Sequence, residues 1–63
     1  MIDWYSQSVE ELAETLQRLG EPSYRSKQLF RWLHQRGAQS FDGMSDLGKA
    51  LRQRLEELAP LTP

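Results

Sequence analysis

The chain has no cysteine among its 63 residues. Disulfides and thiolate metal ligands are therefore excluded, which is compatible with a cytoplasmic location. Histidine occurs once, at His34, and one imidazole cannot build a metal site alone. The four glycines, Gly20, Gly37, Gly43 and Gly48, stand apart, so there is no glycine-rich phosphate loop. No apolar run approaches the roughly 20 residues that a membrane-crossing helix needs. Met1-Ile2-Asp3-Trp4 lacks the basic start and apolar stretch of a secretory signal. A strong positive balance is missing too. Eight Lys and Arg face nine Asp and Glu, for a net charge of −1. Bulk charge does not mark a nucleic-acid binder, so any such role must come from how the charge is distributed.

Catalytic constellations are equally scarce. Glu10-Glu11 and Glu56-Glu57 are sequence neighbours that point to different helix faces, so they form no acid/base pair. The serines are mostly explained as helix caps. No nucleophile-and-base arrangement is visible, and this chain alone is not expected to be an enzyme.

What is present is helical periodicity. A mean hydropathy of −0.70 is low, yet the apolar residues recur in register rather than scattering. Met1 to Gln7 reads as a leader whose Trp4 and Tyr5 form a lid on the first helix. Ser8-Val9-Glu10-Glu11 is a capping box: the serine oxygen accepts from the Glu11 amide while Glu11 reaches back to the Ser8 amide. Val9, Leu12, Ala13, Leu16 and Leu19 then form one apolar stripe. Gly20 suits the left-handed position past the helix end. Glu21-Pro22-Ser23 is a tight connection. Phe41 and Met44 are expected to plug the core, with a turn at Gly43. Ser45 is the expected cap of a last helix in which Leu47, Ala50, Leu51, Leu55 and Leu58 face inward. Gly48 is expected to allow close backbone approach to another helix. Arg54 should lay its methylenes on the core with its head in water. Ala59-Pro60-Leu61-Thr62-Pro63 cannot continue the helix well.

The stretch Tyr24 to Arg36 organises the rest. At about 100° per residue, Leu29, Phe30, Trp32 and Leu33 share a broad apolar arc. Lys27, Arg31 and His34 fall opposite at i, i+4 and i+7, with Gln28 and Gln35 beside them. The helix should end at Gly37, with Arg36 favourable at the negative dipole end. One face can thus be buried while the other presents a narrow basic stripe. Such a stripe is either a solvated surface or one that meets phosphates. In the second reading the phosphate-contacting residues are Lys27, Arg31 and His34, helped by Arg25, Gln28, Lys49 and Arg52. Arg25 lies near Trp32 and Leu29 on the wheel, so a structural ion pair is an equal alternative for it.

Leu19-Gly20-Glu21-Pro22 followed by Tyr24-Arg25-Ser26-Lys27-Gln28-Leu29-Phe30-Arg31-Trp32-Leu33 resembles the N-terminal accessory domain of the RlmN/Cfr family. Gly37, Phe41, Met44, Ser45-Asp46-Leu47, Leu51-Arg52 and Leu55 extend the resemblance from roughly Leu12 to Leu58. The resemblance implies a radical-S-adenosylmethionine methyltransferase acting on an adenine of large-subunit ribosomal RNA, with transfer RNA a second substrate of RlmN members. It implies S-adenosylmethionine and a four-iron four-sulfur cluster in the parent protein, and none in this chain.

The expected architecture is an all-α single domain over 1–63, which the resemblance implies is related to helix-hairpin-helix modules. Three main helices and a short turn give an ordered core of about 8–58, and 59–63 begins a linker to a catalytic domain. The expected partners are RNA and that catalytic domain, with no membrane and a monomeric state. The alternative is a structural domain that docks on its own catalytic domain through exposed Trp32 or Trp4 without touching RNA.

Overall fold

The computed structural model describes residues 3–61. The first two residues of the expected leader and the last two of the expected linker lie outside the described residues. Three helices account for most of the rest: α1 (Val9–Arg18), α2 (Arg25–His34) and α3 (Lys49–Leu58). Short 3-10 turns occur at Trp4–Ser6 and Phe41–Gly43, and there is no strand among the described residues. The architecture is all-α, as the periodicity indicates.

Local signals set the first helix. Ser8 Oγ accepts from the Glu11 amide at 3.2 Å and Glu11 Oε1 accepts from the Ser8 amide at 2.9 Å, so the capping box closes on both sides. At the other end the Glu21 amide donates to Leu16 and the Gly20 amide to Gln17, the paired bonds of a Schellman ending. Gly20 sits at φ +80°, where a side chain would be strained. Pro22 to Arg25 then make a turn in which the Arg25 amide donates to the Pro22 carbonyl, and α2 starts at once. Gly37, at φ +64°, follows the end of α2. That ending is one residue wider than the first: the Ala38 amide reaches back to Trp32.

The core is drawn from every element. Leu12 and Leu16 of α1, Leu29 and Leu33 of α2, and Leu51 and Leu55 of α3 are buried. Phe41, Met44 and Leu47 fill the space between them, so the expected Phe41 and Met44 plugs are present. Stability in so small a domain rests on this one cluster.

Several expectations are corrected. Ser45 does not cap α3. Residues 44–47 form a turn, with the Leu47 amide on the Met44 carbonyl, and the cap position falls to Gly48 at φ −63°, ψ 152°. A Cβ on Gly48 would meet nothing within 4 Å, so close helix approach is not its role. Ala50 and Leu58 are exposed rather than inward, and α3 buries a narrower stripe than its spacing indicates. The head of Arg54 is not simply in water: its Nη2 donates to the Leu19 carbonyl at 2.7 Å, tying α3 to the negative end of α1. Trp4 is no lid on α1 but a central core residue. Its turn packs against α2. Its ring meets Phe41 edge-on at 5.6 Å, and its indole N–H donates to the Ala59 carbonyl at 2.7 Å. Ala59 is itself buried, so the packed core extends past both ends of 8–58.

Candidate nucleic-acid interface

α2 separates its faces as amphipathic geometry requires. Ser26, Leu29 and Leu33 are buried against the core, and the Ser26 hydroxyl donates to the Ser23 carbonyl at 2.7 Å, so its burial leaves no orphan. Lys27, Arg31, His34 and Gln35 are exposed on the far side. Lys27 and Arg31 take part in neither ion pair found among the described residues, which are Arg25–Glu21 and Arg36–Asp46. The two cations therefore face solvent with their donors open, one turn apart. His34 extends the row by a further turn and rests against Phe30, with ring centroids 4.4 Å apart. Phe30 in turn packs on the core, which fixes where the imidazole stands.

The remaining candidates are placed differently. Arg25 is half-buried at the edge of α2. Its Nη1 donates to Gln28 Oε1 and to the Asp46 carbonyl, both at 2.9 Å, and its Nε lies 4.0 Å from Glu21 Oε1. Gln28 is thus engaged as the acceptor for Arg25. Arg36, past the other end of α2, approaches Asp46 Oδ2 at 3.8 Å. Both ends of α2 so hold the 44–48 loop along one edge of the helix. Arg52 donates from Nη1 to the Asp42 carbonyl at 2.6 Å, fastening the Phe41–Gly43 turn to α3. Lys49 is exposed in the first turn of α3. Of the seven candidates, the structure brings Lys27, Arg31 and His34 together on one open face. It draws Arg25, Gln28 and Arg52 into bonds that shape loops.

Neither tryptophan offers an open docking surface. Trp4 is 1% exposed. Trp32 is half-buried, and the Arg36 guanidinium lies 4.5 Å above its ring. Tyr24 is a further exposed aromatic, at 56% exposure, outside the seven candidates. Its signal was available: Tyr24, Lys27 and Arg31 are spaced i, i+3 and i+7, an aromatic in line with two cations.

Among the described residues, one open hollow of about 240 Å³ is lined by Tyr5, Gly37, Ala38 and Gln39, and another of about 370 Å³ lies beside Glu14, Gln17 and Arg18. Neither joins a nucleophile to a base. The donor set of the chain does not fit an iron–sulfur cluster, having no cysteine. Among the described residues no group of three His, Asp or Glu could hold a metal ion. No described helix is long and apolar enough to cross a membrane.

Comparison with known proteins gives a consistent result. Residues 2–61 match the family model described as the ribosomal RNA large subunit methyltransferase N-terminal domain. The chain is 47% identical over 64 residues to the dual-specificity RNA methyltransferase RlmN 2 of Myxococcus xanthus, a match covering all of this chain and 17% of that protein. It is 48% identical over 62 residues to the dual-specificity RNA methyltransferase RlmN of Geobacter sulfurreducens, covering 98% of this chain and 17% of that protein. Its fold superimposes with a TM-score of 0.91, at 38% identity, on a radical SAM methyltransferase from Sphaerobacter thermophilus, covering all of this chain and 18% of that one. The chain thus spans less than a fifth of each of these three proteins, and over that span it belongs to the RlmN N-terminal domain family.

Proposed function

We propose that this chain is the RNA-contacting accessory domain of a radical-S-adenosylmethionine enzyme that methylates an adenine of large-subunit ribosomal RNA, with transfer RNA a second substrate, in the cytoplasm. The observation that carries the reading is the open row of Lys27, Arg31 and His34 on α2. Lysine and arginine there neutralise phosphates and set the position of the RNA without reading its sequence. Folded RNA is recognised largely by shape and backbone, so a rigid helical face without base-reading pockets suffices. S-adenosylmethionine and a four-iron four-sulfur cluster supply the methyl-transfer chemistry of such an enzyme. This chain has no cysteine to ligate such a cluster, and the contribution proposed for it is positioning. Two or three phosphate contacts give weak binding by themselves. They become effective when a catalytic domain on the same polypeptide holds the same RNA, because the second contact is then intramolecular. The domain is expected to be monomeric.

Titration of the isotope-labelled chain with a structured ribosomal RNA fragment, followed by amide shifts, tests this. Shifts should concentrate on residues 27, 31, 34 and 35, and the affinity should fall about tenfold between roughly 50 and 200 mM salt if two phosphates are neutralised. Shifts confined to α1 or α3, or an affinity indifferent to salt, would contradict it.

A further inference from the structure

Tyr24 is 56% exposed and is absent from the residues that form or flank the core. It is not a helix cap in the chemical sense, since its side chain makes no capping bond. Its backbone is nonetheless helical, at φ −63° and ψ −21°, so the spacing of α2 runs back through it. Tyr24, Lys27 and Arg31 therefore lie on one side of the helix, with axial offsets of about 4.5 and 10.5 Å from the tyrosine. The ring is also pinned. The Arg25 guanidinium sits 5.0 Å from its centroid, and Arg25 is held in turn by Gln28 and the Asp46 carbonyl. With the cation over the ring and more than half of the residue exposed, aromatic surface is left for a ligand.

From this arrangement we infer that Tyr24 is a stacking platform for an unpaired nucleobase, on a strand whose neighbouring phosphates meet Lys27 and Arg31. The inference rests on the RNA-contacting reading and narrows it: the favoured RNA has an unstacked base beside the α2 face, not a continuous duplex. Aromatic rings flanked by cations are how proteins hold single-stranded nucleic acid, because every base offers a π-face. A protein partner is the less favoured occupant. The side chains in line with Tyr24 are Lys27 and Arg31, charged and exposed, so no contiguous apolar patch surrounds the ring.

The test uses two RNAs with equal numbers of phosphates, a hairpin with an unpaired loop and a fully paired duplex, each titrated with the 63-residue chain and its variants. Tyr24→Ala should weaken hairpin binding about fivefold or more while leaving duplex binding unchanged. Tyr24→Phe should keep hairpin affinity, whereas Tyr24→Leu, which retains bulk without the aromatic face, should lose it as alanine does. A 2-aminopurine in the loop should be quenched by the parent chain and by Tyr24→Phe only. Equal losses on both RNAs overturn the stacking role while leaving RNA contact standing. Unchanged hairpin affinity in Tyr24→Ala does the same and turns the ring over to a protein partner. Failure of the parent chain to bind either RNA overturns the RNA-contacting reading, and the stacking role falls with it.

Discussion

The Trp4 indole N–H and the Ala59 carbonyl, 55 residues apart, meet at 2.7 Å inside the core. The two flanks of the helical unit are closed on each other by this bond, and both residues are nearly inaccessible, at 1% and 4%. Trp4→Phe keeps an aromatic ring against Phe41 but removes the donor, leaving a buried carbonyl unsatisfied. It is expected to cost about 1–3 kcal/mol. Urea unfolding should show a lower midpoint at unchanged slope. An unchanged midpoint would show that water or another donor serves Ala59 equally well.

Arg25 and Lys27 are two residues apart and should behave in opposite ways. Arg25 bonds Gln28 and the Asp46 carbonyl from a half-buried site, so Arg25→Ala should destabilise the fold by about 1–3 kcal/mol. Lys27 makes no side-chain hydrogen bond or ion pair among the described residues, and a surface change of that kind is ordinarily within about 0.5 kcal/mol. Thermal melts of the two variants side by side check this. Equal destabilisation would mean that Lys27 has a structural role, and the open-face assignment would be lost.

Two glycines give a paired prediction. Gly20 at φ +80° closes the Schellman ending of α1, so Gly20→Ala should destabilise by about 1 kcal/mol despite the empty space around it. Gly48 has an ordinary extended conformation at the cap of α3, which lacks a side-chain capping bond. Gly48→Ser supplies that oxygen and should stabilise by a few tenths of a kcal/mol. Opposite signs in one calorimetric series are the expected result; destabilisation by Gly48→Ser would show that the glycine is needed there for another reason.

The capping box provides a fourth stability probe. Ser8→Ala removes the acceptor for the Glu11 amide and should cost about 1 kcal/mol, with the loss visible first in hydrogen exchange of the opening turn of α1. A uniform loss of protection across all three helices would show instead that α1 cannot open on its own.

The sequence made the local features legible because their causes are local. Ser8 and Glu11, Gly20, and the two-faced composition of α2 carry their own geometry within a few residues. The start of α3 differs from the spacing-based expectation because a turn at 44–47 and a helix share the same spacing. Leu47, Leu51 and Leu55 are four apart whether or not Leu47 is helical, and only the extended ψ of Gly48 decides between the two. Trp4 and Ala59 were invisible as partners, since their contact spans nearly the whole chain and no periodicity encodes it. At the candidate interface, wheel position correctly exposed Lys27, Arg31 and His34. It could not show that Arg25, Gln28 and Arg52 would be drawn to carbonyls and side chains of neighbouring segments, because those acceptors are placed by the tertiary fold. Tyr24 lies within the stretch that reads as the helix, but a polar-face argument that counts only cations leaves an exposed aromatic out.

The central claim is that the exposed face of α2 meets phosphates, and the salt dependence of RNA affinity in a Lys27→Gln, Arg31→Gln double variant tests it most directly. If each cation neutralises one phosphate, the slope of log affinity against log salt should become shallower by about 1 per residue removed, with the melting temperature unchanged. A double variant that folds normally and keeps the parent slope would place the contacted surface elsewhere and contradict the account.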